Sequence, residues 1–540
     1  MVKVTILFNM NIDYQAQKIT FDSTDWFDGV EYLNIDDNYE RGTKGLAYVE
    51  SFNPYRRFGY AVPGHLPESA TNESSVAATI RQGVVKGSDT AYLLENGAKF
   101  HKLTGLTGNG TIATTGGFPH TIVPASGNSP TGLDIVKYYQ LVGGVQTEYI
   151  WYSHTSDAVW NIGRFDSAGP TWDDVYMTAT ATTPMAAGVA SGGVSFPHPL
   201  VAFENNKLYA GDRNFVHMYD GQTNVFTAAV LTLPSDYVVT AFAKVNFYLV
   251  VFAYKNNTST TNLGESTAFF WDTFSQSFTV AKDLNDFYVS EAINYKNTVM
   301  CFTSGLLDDL HSGNLRIKMY DGQMFNTITT YSSTSGQGGQ SFVGLPVRGG
   351  VQTQGEDVYF NAGGKIFKLS PQGEQWKLFE YYSDFTNSTP GFLRFLRNTF
   401  NLFFSNAGGT GGGLRTLRQN FNIGAAYTKV AELEFPPRKR ARTKAINVYY
   451  KTTTSGGRTF ELHYLPDAVD TTIRSDHAVP ATTSSIQDTS AVERWELDVN
   501  NSPLLPFKTM QLHLIWTAGS GSSSAPEISK IEVEFELFNL

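Results

Sequence analysis

The pentapeptide Met-Tyr-Asp-Gly-Gln occurs twice in this chain, with its tyrosines at Tyr219 and Tyr320, 101 residues apart. That interval points to a duplicated domain or to alternate members of a repeat about 50 residues long, and such a period constrains the fold more than any local propensity. Midway lies "STAFFWDTFSQSF", where Trp271 and Asp272 take the places of the tyrosine and aspartate. The pattern continues outward through Phe100 and Trp160 on one side and Phe367 and Leu417 on the other. The seven anchors are spaced by 60, 59, 52, 49, 47 and 50 residues.

Each anchor is preceded by a second apolar run: "TAYLLENG", "EYIWYSH", "NKLYAGD", "FYLVVFAY", "NTVMCFTSG", "EDVYFNAGG" and "TFNLFFSN". Gly, Asn, Ser or Asp separates the two runs, as hairpin turns require. No stretch of 15 or more residues sustains a 3.6-residue apolar period, so helices are expected to be few. Units of this kind predict an all-β chain built as a β-propeller, with seven blades favoured over six or eight. The Asp-Gly of MYDGQ is then a structural turn, its glycine supplying positive φ after a strand.

Residues 1–85 precede the first clear unit, and part of this segment is expected to close the ring by completing the last blade. The propeller is placed at 86–430. Beyond it the period-50 pattern stops and strict alternation begins. "KIEVEFEL" alternates Ile531, Val533, Phe535 and Leu537 with Lys530, Glu532, Glu534 and Glu536, and "TMQLHLIW" behaves likewise. Strands with one apolar and one polar face predict a C-terminal antiparallel β-sandwich at 431–540. Its longest loop is expected in "DAVDTTIRSDHAVPATTSSIQDTSAVE".

Composition agrees with a β-rich chain. Charged residues make up 17% and aromatics 14%, against about 25% charged in ordinary globular proteins. The net charge of -10 argues against a protein whose main task is to coat nucleic acid. The single cysteine, Cys301, rules out an internal disulfide framework and multi-thiolate zinc, and reads as a small buried apolar residue. The short apolar run before Asn9 is expected to be neither a secretion signal nor a membrane span.

Sequence motifs for catalysis are missing: no P-loop, no G-x-S-x-G elbow, no H-E-x-x-H and no dinucleotide fingerprint. "GGTGGG" at Gly408–Gly413 lacks the Lys-Ser/Thr that would meet a phosphate. The acidic stretches "FDSTDWFDG" and "NIDDNYERG" lack the ligand alternation of a dedicated calcium loop. "SPQGEQW" at Ser370–Trp376 is a degenerate match to the turn box of sialidases, with Gln372 in place of the aspartate. The ten histidines are scattered, with no pair at metal-ligand spacing. No catalytic, metal or cofactor-binding residue is assigned, and the chain is expected not to be an enzyme. One interaction candidate stands out, the basic run Arg438, Lys439, Arg440, Arg442 and Lys444. It could meet an acidic partner or passing nucleic acid, or serve as a charged strand edge.

The entry "ESFNPYRRFGYAVPG", the aromatic hairpin "LYAGDRNFVHMYDG" and the ending "APEISKIEVEFEL", with Pro526-Glu527 before the last strand, resemble propeller proteins of tailed-bacteriophage virions. The resemblance implies a non-enzymatic structural component of a tail, nozzle or baseplate region. Its copies would sit around the tail axis and bind other virion proteins and each other, near the DNA path, with assembly in the host cytoplasm and no membrane partner. A glycan-binding module that presents Trp and Tyr to a host surface is the alternative, and a propeller glycosidase is a third reading.

Overall fold

The computed structural model describes residues 18–22 and 46–50, most of 68–417, and the strands between 426 and 539. Seven antiparallel sheets follow one another along 68–417, six of four strands and the first with a short fifth strand, His120–Thr121, beside Lys99–Thr104. They open, in order, with Ile80–Val85, Thr131–Val142, Leu200–Phe203, Tyr237–Val245, Tyr288–Tyr295, Val351–Gln354 and Thr389–Phe395. In blades 1 to 6 the sheet order equals the chain order, and in blade 7 the outer strand is Glu68–Ser69. The first strands of neighbouring blades lie against each other, which puts them innermost around a common axis. This is a seven-bladed β-propeller. Among the described residues the only helical element is one 3-10 turn, Glu73–Ser75, and no helix is long and apolar enough to cross a membrane.

The apolar runs noticed in the sequence are the second strands, from Thr90–Glu95 in blade 1 to Leu402–Ala407 in blade 7. All seven anchors fall on third strands. They do not share one register, however. Tyr219, Trp271, Tyr320 and Leu417 lie at or next to the ends of their strands and pack toward the preceding blade, whereas Phe100 and Trp160 lie near the start and pack toward the following one. Side chains one position apart on a strand face opposite sides, so Leu103 and Phe165 are the residues of blades 1 and 2 that face backward. An apolar cluster fills each of the seven blade interfaces. Trp271, for example, meets Tyr209 of blade 3 edge-on at 5.6 Å between ring centroids.

The two MYDGQ copies occupy the turn between the third and fourth strands of blades 3 and 5. In both, the aspartate folds its own turn: Oδ1 of Asp220 accepts from the amide of Gln222 at 2.9 Å, and Oδ1 of Asp321 from those of Gln323 and Met324 at 2.7 and 2.9 Å. Blade 4 repeats the device with Asp272, which accepts from Phe274 and Ser275, and blade 2 with Asp166. The aspartate is therefore the recurrent element, closing an Asx turn. The glycine differs between copies. Gly322 has φ of 104°, as expected for the turn. Gly221 is not in that region; it lies against blade 2, where a Cβ would meet the carbonyl oxygen of Tyr139 and lie 2.7 Å from the Tyr138 hydroxyl. Its amide donates to that hydroxyl at 2.6 Å.

Glu68–Ser69 pairs with Arg415–Thr416 in blade 7. The chain then crosses to blade 1, where Thr71 bridges Thr111 in its outer strand. Beyond the propeller two antiparallel sheets are described. One joins Lys18–Asp22, Glu527–Asn539, Lys439–Lys451 and Ala491–Glu496; the other joins Leu46–Glu50, Ala426–Val430, Thr509–Trp516, Leu433–Glu434 and Phe460–Pro466. Both therefore draw strands from the two ends of the chain. Ile531, Val533 and Phe535 are buried, in keeping with their alternation. The acidic segments 23–29 and 34–42, most of GGTGGG and the long loop after Pro466 lie outside the described residues.

Two predictions follow from the turns. Gly221→Ala should destabilise by up to about 3 kcal/mol through overpacking against a backbone oxygen, and Gly322→Ala by roughly 1–2 kcal/mol through left-handed strain alone; urea unfolding of both variants measures this. The carboxyls of Asp272 and Asp321 are held below 3.8, each mainly by a backbone amide, of Ser275 and of Met324. Stability from a depressed carboxylate is complete above the unfolded value and lost as pH falls through the folded one. The double variant Asp272→Asn/Asp321→Asn keeps the acceptor without titrating, so its melting temperature should fall less steeply than that of the parent between about pH 5 and 2.

Candidate functional site

Propeller axes are where innermost strands from different blades converge, and here they bring together polar side chains far apart in sequence. Asp134, on the first strand of blade 2, accepts from the amides of Ile135 at 2.8 Å and Leu200 of blade 3 at 2.6 Å. Arg348, in the connection entering blade 6, reaches across to pair with Asp134 through Nε and donates to the Leu200 carbonyl at 2.6 Å. Its Nη1 faces Glu291 of blade 5 at 3.9 Å. Glu291 in turn accepts from the amides of Ala292 and Gly349 at 2.9 and 2.6 Å. Gln82 of blade 1 donates to Asp134 at 3.3 Å and accepts from Arg394 of blade 7 at 3.1 Å. Six of the seven blades thus contribute to one network across the axis.

The network is largely withdrawn from solvent: Asp134 is 1% exposed and the Arg348 side chain 16%. Burial raises the Glu291 carboxyl above its ordinary value, against the pull of Arg348 and the Gly349 amide. For Arg348, burial acts to lower the guanidinium, but the Asp134 and Glu291 carboxylates outweigh it and leave it raised. Tyr288 of blade 5 is pushed up to about 12, chiefly by burial. Chemically the arrangement neutralises its own carboxylates, since Arg348 and backbone amides occupy the lone pairs an acid–base pair would need free.

Histidines that look scattered in the sequence meet carboxylates in space. His101 pairs with Glu95 at 2.6 Å, fully buried within blade 1. His120, stacked on Trp172 at 3.9 Å, pairs at 3.0 Å with Asp174, which also accepts from the Tyr152 hydroxyl and the Val123 amide. Burial pushes Asp174 up, but the His120, Tyr152 and Val123 hydrogen bonds prevail and hold it below its ordinary value. His198, stacked on Trp160 at 4.4 Å, and His217 flank Asp212 at 3.7 and 3.6 Å. Sequence spacing gives no sign of these groups, because each joins different strands. Among the described residues no group of three or more His, Cys, Asp or Glu is arranged to hold a metal ion. Cys301 is buried between blades 4 and 5, and burial pushes its thiol far up.

Of the basic run, Arg438 lies outside the described residues. Lys439, Arg440, Arg442 and Lys444 lie on the strand Lys439–Lys451, paired along its length with Glu527–Asn539. Arg442 is ion-paired across the strands to Glu536 at 2.7 Å, while Lys444 is exposed. The run is therefore partly matched by the acidic face of the last strand. The sialidase-like "SPQGEQW" spans the third-to-fourth strand turn of blade 6, where Ser370 donates to Asp357 at 2.6 Å.

No protein-family model and no curated protein matches the sequence. Solved structures similar in fold include the Dos1 propeller, 10% identical with a TM-score of 0.39, over 63% of this chain and 78% of that one. YCF48 from Cyanidioschyzon merolae is 10% identical with a TM-score of 0.39, over 64% and 96%. An exo-beta-1,3-galactanase from Phanerochaete chrysosporium is 10% identical with a TM-score of 0.33, over 88% and 100%. None of these likenesses carries an activity over to this chain.

Removing Arg348 tests the axial network. Arg348→Met leaves two buried carboxylates unpaired and should cost about 3–5 kcal/mol, read by chemical denaturation at pH 7. Arg348→Lys should recover only part, because a point ammonium cannot span Asp134, the Leu200 carbonyl and Glu291 at once.

Proposed function

We propose that this chain is a non-enzymatic structural and interaction component of a bacteriophage tail, present in several copies around the tail axis. The virion assignment rests on the resemblance of layout. One structural observation supports a docking role: among the described residues most of the exposed large apolar side chains lie on a single face, Val123 being on the other. In a propeller blade the first-to-second and third-to-fourth strand turns share one face. Those turns and the strand ends beside them carry Val142 and Val145 in blade 2, Val225 in blade 3, Phe247 and Phe274 in blade 4, and Met324 in blade 5. Phe274 is 86% exposed and Phe247 64%. Exposed apolar side chains clustered on one face mark protein contact surfaces. The propeller chain also enters at residue 68 and leaves at residue 417 on this face. Partners in this reading are neighbouring tail proteins and further copies of the chain.

A hydrolase reading would call on Asp134 and Glu291. Their engagement by Arg348 favours a structural axis over a reacting one. The glycan-binding alternative calls on exposed aromatics, and Phe247 and Phe274 are exposed.

Size-exclusion mass analysis and electron microscopy of the purified chain test the proposal. A ring of defined order, dispersed by Phe247→Ser/Phe274→Ser/Met324→Ser without change in melting temperature, is the expected result. A monomer that binds a glycan array or releases sugar from polysaccharide would replace it with one of the other readings.

A further inference from the structure

Among the described residues, the histidines of the propeller all belong to blades 1 to 3 and to the connection entering blade 3. His154, near the end of the second strand of blade 2, is fully buried. Its Nε2 donates to the backbone carbonyl of Asp174 at 2.8 Å. The neutral ring therefore carries its lone pair at Nδ1, which is buried with no hydrogen-bond partner among the described residues. The ladder places Gly132 on one side of His154 and Asn161 on the other. Both amide atoms of Asn161 are likewise buried without such a partner. This face packs on blade 1: Tyr152, two residues earlier on the strand, meets Phe100 at 5.2 Å between ring centroids, within the apolar cluster that joins the two blades. Beside His154 the contact is close, since a Cβ on Gly132 would meet the Leu94 side chain and the Glu95 carbonyl. The charged neighbour is Asp174, whose carboxylate is already occupied by His120, Tyr152 and the Val123 amide. The other titratable side chains of the packed faces lie farther along the strands: Tyr92 with Lys102 opposite it, Lys137 opposite Ile150, and the Lys86–Glu148 pair.

From this arrangement we infer that the seam between blades 1 and 2 is an acid-sensitive joint, loosened by proton uptake at Nδ1 of His154 before the seams among blades 4 to 7. Protonation creates a cation and a second N–H donor inside a close-packed interface, and a buried charge without its own counter-charge is costly. Opening the seam relieves that cost by giving the ring to solvent. Burial accordingly holds the His154 imidazole below its ordinary value, although the Asp174 carbonyl and carboxylate pull it up. The closed seam binds fewer protons than the open one, so closure is complete above about pH 6.5, the ordinary histidine value, and is lost progressively below it. At pH 5 an open-state histidine of ordinary affinity favours opening by up to roughly 30-fold relative to neutral pH. The joint gives a closed ring one place at which to part, and it is independent of the tail assignment.

Hydrogen–deuterium exchange of the intact chain, read by mass spectrometry at pH 7.5 and pH 5, tests the joint. The comparison is between the parent and His154→Gln, whose side-chain amide keeps a donor for the Asp174 carbonyl without titrating. His120 is present in both proteins, so its own titration cancels, as do intrinsic exchange rates at equal pH. Peptides from Lys99–Thr104 and Thr171–Thr178 should exchange alike in the two proteins at pH 7.5. At pH 5 they should exchange severalfold faster in the parent, up to the roughly 30-fold ceiling. A peptide from Tyr288–Tyr295 in blade 5 should show no difference at either pH. Equal exchange of the seam peptides in parent and variant at pH 5, or an equal change in blade 5, would overturn the inference. If His154→Gln fails to fold, the parent alone decides: corrected for intrinsic rates, seam exchange must rise relative to blade 5 between pH 7.5 and pH 5, and a constant ratio refutes the joint.

Discussion

Closing the ring is the constraint on which everything else in the propeller depends. A row of seven sheets has two free ends, and each exposes an apolar face that the other interfaces bury. The chain meets this by bringing Glu68–Ser69 alongside Leu414–Leu417 and then running to the outer edge of blade 1 through Thr71. Ala70, Val76, Leu103, Phe392, Phe403 and Leu414 fill the seam between blades 7 and 1. The entropic cost of joining positions so distant grows only slowly with the length of the loop. The gain is a full interface, in which each large apolar side chain contributes roughly 1.5–3 kcal/mol when buried. A second tie lies outside the ring, where Lys18–Asp22 pairs with Lys530–Glu534.

Closure also creates the axis. Seven inner strands placed side by side leave a channel whose walls are backbone and whose contents are side chains from every direction. Here the contents are ionic rather than apolar, and Arg348 acts as a crosspiece between blades 2, 3 and 5. Buried ion pairs are poor sources of net stability compared with apolar packing, but they are demanding about geometry. A misplaced blade would strand Asp134 or Glu291 in a dry site. The network therefore favours one closed arrangement over its neighbours.

The repeat was legible because hairpins are local. Apolar runs separated by turn residues reveal second and third strands wherever they lie, and all seven anchors fall on third strands. Two of them, Phe100 and Trp160, point the opposite way from the rest, since a one-residue difference in register reverses the face and spacing alone does not report register. The MYDGQ motif shows the same limit at smaller scale. Its aspartate has one role in both copies, folding its own turn, whereas its glycine serves φ in blade 5 and close approach to Tyr138 and Tyr139 in blade 3.

What the amino-acid sequence determined by itself was whatever depends on neighbours along the chain: the all-β class, the period near 50, the turns and the alternating C-terminal strands. The axial network, the pairing of histidines with carboxylates and the balance of the basic run were decided only by the tertiary structure. Arg442 looks like part of an unmatched cationic stretch until Glu536, 94 residues away, is brought across the ladder. Arg348 lies 214 residues from Asp134. Electrostatic interactions act through space and reward proximity of any origin, so their partners are set by the fold that strand patterning selects and not by the order of residues.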